Sequence, residues 1–159
     1  RAVICGGEVM EDAEVARRVA ARMARQEVLQ REHPPEVCAI IDEIAFHKPI
    51  GGLEVMVEQI RQLIEMAEQP NIHILVIPND LGAHISLSIP FQMMGGYAES
   101  QKGAVYIDIP KTPLVLEKDE DLDHYGSVYR RLLAAALCPA ESLDKMHQVA
   151  TQLTRQIEG

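Results

Sequence analysis

Four polar residues are the best candidates for chemistry in this sequence: Glu43, His84, Tyr106 and Asp108. Two carboxylates, an imidazole and a phenol can together hydrogen-bond a small ligand or a partner peptide. If the loop that carries His84 folds over the ends of the strands that carry Glu43 and Tyr106, the four side chains line one pocket. The alternative is a structural network in which these groups fix the loop and Glu43 binds backbone amides.

A hydrolytic site can also be assembled from the sequence. Asp80, His84 and Ser86 are the residue types of an orienting acid, a base and a nucleophile. However, they lie within seven residues on one loop, and no strained strand-to-helix turn holds the serine. We therefore expect a protein that is not an enzyme. A small-molecule-binding or hydrolytic enzyme domain that uses the same loop is the alternative.

Histidines and cysteines give no sign of a metal or of any other cofactor. The six histidines show no i, i+4 spacing with one another or with a cysteine, so no ligand set is indicated. The three cysteines are an odd number without a pairing motif, which is typical of reduced thiols. The sequence also has no signal-peptide pattern and no apolar run near the roughly 18 residues of a membrane helix. We expect a cytoplasmic protein without a membrane contact.

The stretch from Glu36 to Pro78 must position Glu43. Its two strands, residues 37–41 and 72–77, are apolar runs without alternation, which is typical of strands covered on both faces. Between them, an amphipathic helix is predicted over about 52–68, because the apolar residues from 53 to 67 follow the i, i+3, i+4, i+7 spacing. A crossover of this length joins parallel strands, so the stretch predicts a right-handed βαβ unit at the centre of the sheet.

Helices and shorter strands are predicted on both sides of this unit. A long helix over 8–31 precedes it, and an antiparallel meander of three strands over 91–97, 104–109 and 114–117 follows it. Two C-terminal helices begin near residues 118 and 139. The predicted fold class is α+β, a mixed α/β architecture in which one mixed five-strand sheet is flanked by these helices.

The charge of the protein is unevenly distributed along the chain. Residues 1–35 hold six basic and six acidic residues, so the net charge of -9 belongs to the remaining 124 residues. Such an acidic region repels the phosphate backbone of nucleic acid.

The helix over 8–31 has an apolar stripe of Val15, Val19 and Met23 beside alanines, which permits close helix approach. We expect a homodimer formed through helices.

Several segments, taken in order, resemble a known family. "ARRVAARMARQEVL", "IDEIAFHKPIGG", "VYIDI" and "YRRLLAAALCPAES" are similar to the domain of unknown function that follows an Xre-type helix-turn-helix in actinobacterial transcriptional regulators. The resemblance covers nearly the whole chain. It implies that a helix-turn-helix precedes residue 1, that residues 1–34 are the end of a linker with its helix, and that residues 35–159 are an α/β regulatory domain.

The family pattern includes the positions of the candidate residues. It has an acid at Glu43, a glycine and a histidine at Gly82 and His84, and an aromatic residue at Tyr106. Asp108 stands where the family usually has glutamate, and this shorter side chain still accepts hydrogen bonds.

The resemblance also implies a function and a set of partners. We expect a regulatory and interaction domain that mediates self-association or senses a ligand or a partner protein. It further implies a small partner protein encoded beside the regulator, and contact with DNA only through the absent helix-turn-helix.

Overall fold

The computed structural model describes residues 11–81, 90–95, 103–109 and 112–159. The helices are α1 (Asp12–Gln26), α2 (Leu53–Ala67), α3 (Asp119–Ala135) and α4 (Pro139–Glu158), and the strands are β1 (Val37–Asp42), β2 (Ile72–Ile77), β3 (Phe91–Met94), β4 (Ala104–Ile107) and β5 (Leu114–Leu116). Short 3-10 turns cover Glu27–Gln30, Glu43–His47 and Asn79–Leu81. This confirms the predicted α+β class and the predicted order of its elements. The predicted loop residue His84 lies outside the described ranges.

The chain divides into two compact units. The first unit consists of Arg1–Val76 and Leu137–Gly159, and the second consists of Ile77–Ala136. The predicted boundary after residue 34 is not tested by this division and stays a prediction.

The first unit is built on the predicted βαβ stretch. Strands β1 and β2 pair in parallel, and α2 is the crossover between them. Helix α2 begins after Gly51 and Gly52, which have φ of 92° and 104°, a conformation that side chains with a Cβ rarely adopt. Helix α4 packs along α2. The buried core contains Phe46, Val57, Ile60, Ile64, Ile72, Ile74, Val76, Met146, Val149, Ala150 and Leu153.

The prediction of one five-strand sheet was wrong, because the described strands form two sheets, β1-β2 and β3-β4-β5. The amide of Val37 donates to the carbonyl of Asn71 at 2.8 Å. The backbone N–H and C=O groups of the odd-numbered residues of β2 therefore point toward β1, and those of the even-numbered residues point away from it. Val76 therefore faces the other edge. There its carbonyl accepts from the Leu137 amide at 2.9 Å, and its amide donates to the Ser142 hydroxyl at 3.0 Å. These partners occupy the position at which another strand would pair.

Ser142 closes this contact through a second hydrogen bond. It is fully buried on α4, and its hydroxyl donates to the Leu137 carbonyl at 3.2 Å. The hydroxyl thus bridges the Val76 amide and the Leu137 carbonyl. In a regular β-ladder, such an amide and carbonyl would hydrogen-bond to each other directly. One side chain thereby satisfies two backbone groups beside the core and attaches the start of α4 to the end of β2.

Helix α4 begins with a capping box. Cys138 is the N-cap, Pro139 is the first helical residue, and the Glu141 carboxylate accepts from the Cys138 amide at 3.1 Å. Hydrogen bonds from the Cys138 thiol and then from the Cys138 amide lower the pKa of the Glu141 carboxyl from its ordinary value of 4.5.

We expect this cap to make stability depend on pH. Because the pKa of Glu141 is lowered by folding, its contribution is complete above pH 4.5 and is lost as the pH falls through the lower pKa of the folded state. Urea unfolding of the wild type and of Glu141→Gln at neutral pH and at about pH 3 measures this. The stability difference between the two should shrink in acid, and a difference that is constant with pH would contradict the assignment.

The second unit contains the predicted antiparallel meander and α3. Strand β4 is central, with Gln92 of β3 and Val115 of β5 opposite Tyr106. On one face, Val105 and Ile107 are buried, and α3 contacts β4. The rings of Phe91 and Tyr125, from β3 and α3, lie 4.9 Å apart between centroids.

Candidate functional site

Glu43 lies where β1 ends and the Glu43–His47 turn begins. Asp42, the last residue of β1, caps this turn by accepting a hydrogen bond from the Ile44 amide at 3.0 Å. Glu43 is only 8% exposed, which is unusual for a carboxylate.

Two basic side chains meet Glu43. The Lys145 Nζ atom of α4 lies 3.4 Å from Glu43 Oε1, and the His47 Nε2 atom lies 3.6 Å from the same oxygen. The side chains of Lys145 and His47 are 27% and 36% exposed, so the ammonium and the imidazole lie between the buried carboxylate and water. An ammonium offsets the desolvation of a buried carboxylate, so the contact is suited to joining β1 to α4. A carboxylate beside an imidazole is also suited to proton transfer.

Tyr106 and Asp108 lie in the second unit, on the face of the sheet opposite to α3. By the alternation of side chains, Tyr106 shares this face with Gln92, Met94, Ala104 and Val115. Asp108 follows two residues after Tyr106, in line with the same face, and is exposed. We call this set of six residues the open face.

The open face is more apolar than a solvated sheet face usually is. Met94 is 50% exposed, Val115 is 51% exposed, and Tyr106 is half-buried. The solvated side of an antiparallel sheet normally alternates to polar residues. Gln92 and Asp108 are the polar members of this set. Apolar side chains exposed at one place are typical of surfaces that bind a partner or a ligand.

The predicted group of four is not tested by this geometry. The structure places Tyr106 and Asp108 on one sheet face of the second unit, and it places Glu43 in the first unit beside His47 and Lys145. His84 falls outside the described residues. That all four line one pocket therefore stays a prediction.

Comparison with protein families identifies the chain. Residues 1–148 match the family described as a domain of unknown function, DUF5753. The chain belongs to the DUF5753 family. No curated protein and no solved structure matches it.

Two residues of the Glu43 site in this DUF5753 chain were missed by reasoning from sequence. His47 had a usable signal, because it follows Glu43 at the i, i+4 spacing of neighbours on one helical face. Lys145 had none, because it lies about 100 residues further along the chain on another helix. Only the packing of α4 on the βαβ unit brings its ammonium to the carboxylate.

A groove of about 490 Å³ lies between α2 and α4 of the DUF5753 chain. Its lining residues are Arg61, Ile64, Glu65, His147, Ala150, Thr151, Thr154, Arg155 and Glu158. Glu43 is not among them. Over the described ranges, the His, Cys, Asp and Glu residues form no group of three that could hold a metal ion. In the same part of the chain, no helix combines the length and apolar character needed to cross a membrane.

Proposed function

We propose that this DUF5753 chain is the regulatory and interaction domain of an Xre-type helix-turn-helix transcription regulator and is not an enzyme. In this proposal it acts in the cytoplasm, by self-association and by binding a partner protein. Its family membership and its resemblance to the domains that follow such helix-turn-helix segments support this role. The acidic balance supports it as well, because contact with DNA is then left to the helix-turn-helix.

The open face is the observation that carries the proposal. Val115 lies opposite Tyr106 on β5, and Met94 of β3 lies diagonal to Tyr106, opposite Ala104, which gives a patch of apolar and aromatic contact area across three strands. Tyrosine and methionine are enriched at protein interfaces because they supply large contact areas. Asp108 adds a carboxylate to this face. The partner that fits has an apolar face with a Lys or Arg placed to meet Asp108.

Binding of the small protein encoded beside the regulator tests this surface. We expect Met94→Lys and Val115→Lys each to weaken binding at least about tenfold, because a charge must be desolvated in the contact and the basic residue of the partner is repelled. Titration calorimetry measures the effect. Leu133→Lys is the matched control, since Leu133 is 42% exposed in the same unit but lies on α3. Equal affinity of all three variants and the wild type would refute the proposal.

The alternative, a small-molecule-binding or hydrolytic domain, draws its support from Glu43. This buried carboxylate beside His47 and Lys145 is the arrangement most suited to acid-base chemistry in the described part of the chain. A ligand screen by thermal shift and native mass spectrometry, repeated on a Glu43→Ala, His84→Ala double variant, separates the two functions. A ligand that binds the wild type and not the double variant would favour the alternative.

A further inference from the structure

Helix α1 is the least covered helix of the first unit. Its packing on elements other than the turn Glu27–Gln30 that continues it is sparse. Val15 is its one buried residue, and apart from the half-buried Glu14 and Val19 every residue of α1 is exposed. A 15-residue helix is marginally stable in water by itself, so a helix of this kind gains stability from a contact along its length.

The apolar stripe of α1 is suited to contact with another helix. Val15, Val19 and Met23 repeat at a spacing of four, and Met23 at the end of the stripe is 56% exposed. Ala16 and Ala20 lie beside them and are exposed, so their small side chains allow two helix axes to approach closely. The stripe continues from the buried Val15 into solvent, where a second helix can cover it.

The charges of α1 identify what covers it. The first turn is acidic, with Asp12 and Glu14, and Glu14 forms ion pairs with Arg17 and Arg18 of the same helix. Arg22 and Arg25 follow toward the other end. Arg22 and Arg25 have no ion-pair partner among the residues that the structure describes. Against an antiparallel copy of the same helix, each acidic first turn lies beside the basic end of the other copy, and the helix dipoles are also opposed. Parallel pairing would instead place arginines beside arginines.

We propose that α1 pairs antiparallel with α1 of a second copy of this chain, through the stripe of Val19 and Met23 and with a two-fold axis near Val19. This rests on the self-association in the proposed function but uses a different surface from the open face. Each surface patch meets itself around the axis, as in the two-fold dimers that are commonest among oligomers. Because one helix pair about 22 Å long is a small interface, the dimer dissociates in the micromolar range.

Sedimentation velocity of the 159-residue chain, from about 1 to about 500 µM, tests the pairing. We expect a monomer-dimer equilibrium that Met23→Glu shifts at least tenfold toward monomer, about 1.4 kcal/mol. Ala21→Glu, on the opposite side of α1, is the control that should leave it unchanged. Circular dichroism checks that both variants keep their helix. A wild type that is monomeric over the whole range, or a Met23→Glu variant that dimerises normally, would overturn the proposal.

Disulfide cross-linking tests the antiparallel direction. In a background with all three native cysteines replaced by serine, Ala16→Cys and Met23→Cys chains are mixed and oxidised. Antiparallel helices bring residue 16 of one copy near residue 23 of the other, so the mixed dimer should dominate. Dominant 23-to-23 dimers would show parallel pairing and would overturn the inference. Met94→Lys in the same background should cross-link normally. The test of α1 pairing is therefore independent of whether the open face binds a partner protein.

Discussion

Replacing Lys145 with methionine is expected to lower the free energy of unfolding by about 2–3 kcal/mol, because the Glu43 carboxylate is then left desolvated without its ammonium partner. Glu43 is 8% exposed, and the Lys145 Nζ atom lies 3.4 Å from it. Loss of one member of a fully buried pair costs about 3–5 kcal/mol. The cost is smaller here because the Lys145 side chain is partly hydrated and His47 remains beside Glu43.

A double-mutant cycle separates the ion pair from ordinary packing. We expect Glu43→Gln combined with Lys145→Met to be more stable than Lys145→Met alone by about 1–2 kcal/mol, since neither variant side chain is charged. Urea unfolding gives the four free energies. Lys48→Met, an exposed lysine of the same unit, should change stability by less than about 0.5 kcal/mol. If Lys145→Met is as stable as the wild type, Glu43 does not need this cation. If the Glu43→Gln, Lys145→Met variant still binds the proposed partner protein, Glu43 has a structural role.

Ser142→Ala is expected to destabilise the first unit by about 2–3 kcal/mol, because the Val76 amide becomes a buried donor without an acceptor. The amide now donates to the Ser142 hydroxyl at 3.0 Å, and the hydroxyl donates to the Leu137 carbonyl. Alanine removes both bonds, and Ser142 is fully buried. For a chain of this size, the loss corresponds to a fall in Tm of about 5–10 °C.

Thr151→Ala is the matched control for Ser142→Ala. Thr151 lies on the same helix, and its hydroxyl donates to the His147 carbonyl at 2.9 Å, but it is exposed. Water replaces this bond, so we expect a change of less than about 0.5 kcal/mol. Calorimetry or thermal circular dichroism compares the two variants. Equal stability of Ser142→Ala and Thr151→Ala would show that the Val76 amide finds another partner.

The elements with a clear hydrophobic pattern were predictable from sequence. Helix α2 was expected over about 52–68 and occupies Leu53–Ala67, and β2 was expected over the same residues that it occupies. Both are buried on the sides that their patterns indicate, with Ile60 and Val76 fully inaccessible. Burial of an apolar face is encoded locally in residue spacing, so it can be read without knowledge of the partner element.

The number of sheets was not predictable in this way. The edge of β2 at Val76 is occupied by a hydroxyl that lies 66 residues further along the chain. Nothing in the spacing around Ser142 distinguishes it from a solvent-exposed helical serine. The same limit applies to Lys145, whose role depends on where α4 packs. Contacts of this kind depend on tertiary structure and leave no periodic trace in the sequence.

The candidate site was predictable in part. The alternation of residues 105–108 predicts that Tyr106 and Asp108 lie opposite to Val105 and Ile107, and in the structure Val105 and Ile107 are buried while Tyr106 is half-buried and Asp108 is exposed. Sequence did not reveal which face α3 would cover, because strands β3 and β5 have apolar residues on both faces. The low exposure of Glu43 was likewise not predictable, since an acid after a strand is usually solvated.

The hydrogen bond between Leu137 and Val76 also bears on how the chain is threaded. The chain leaves the first unit after Val76 and returns to it at Leu137. The Leu137 amide donates a hydrogen bond to the Val76 carbonyl at 2.9 Å. The second unit is therefore an insertion in the first, and the residues that flank its two ends, Val76 and Leu137, are hydrogen-bonded to each other. Loops and strands of the insertion can therefore lengthen, shorten or be exchanged without a change in the distance between the end of β2 and the start of α4. The second unit can vary while the core of the first unit is kept.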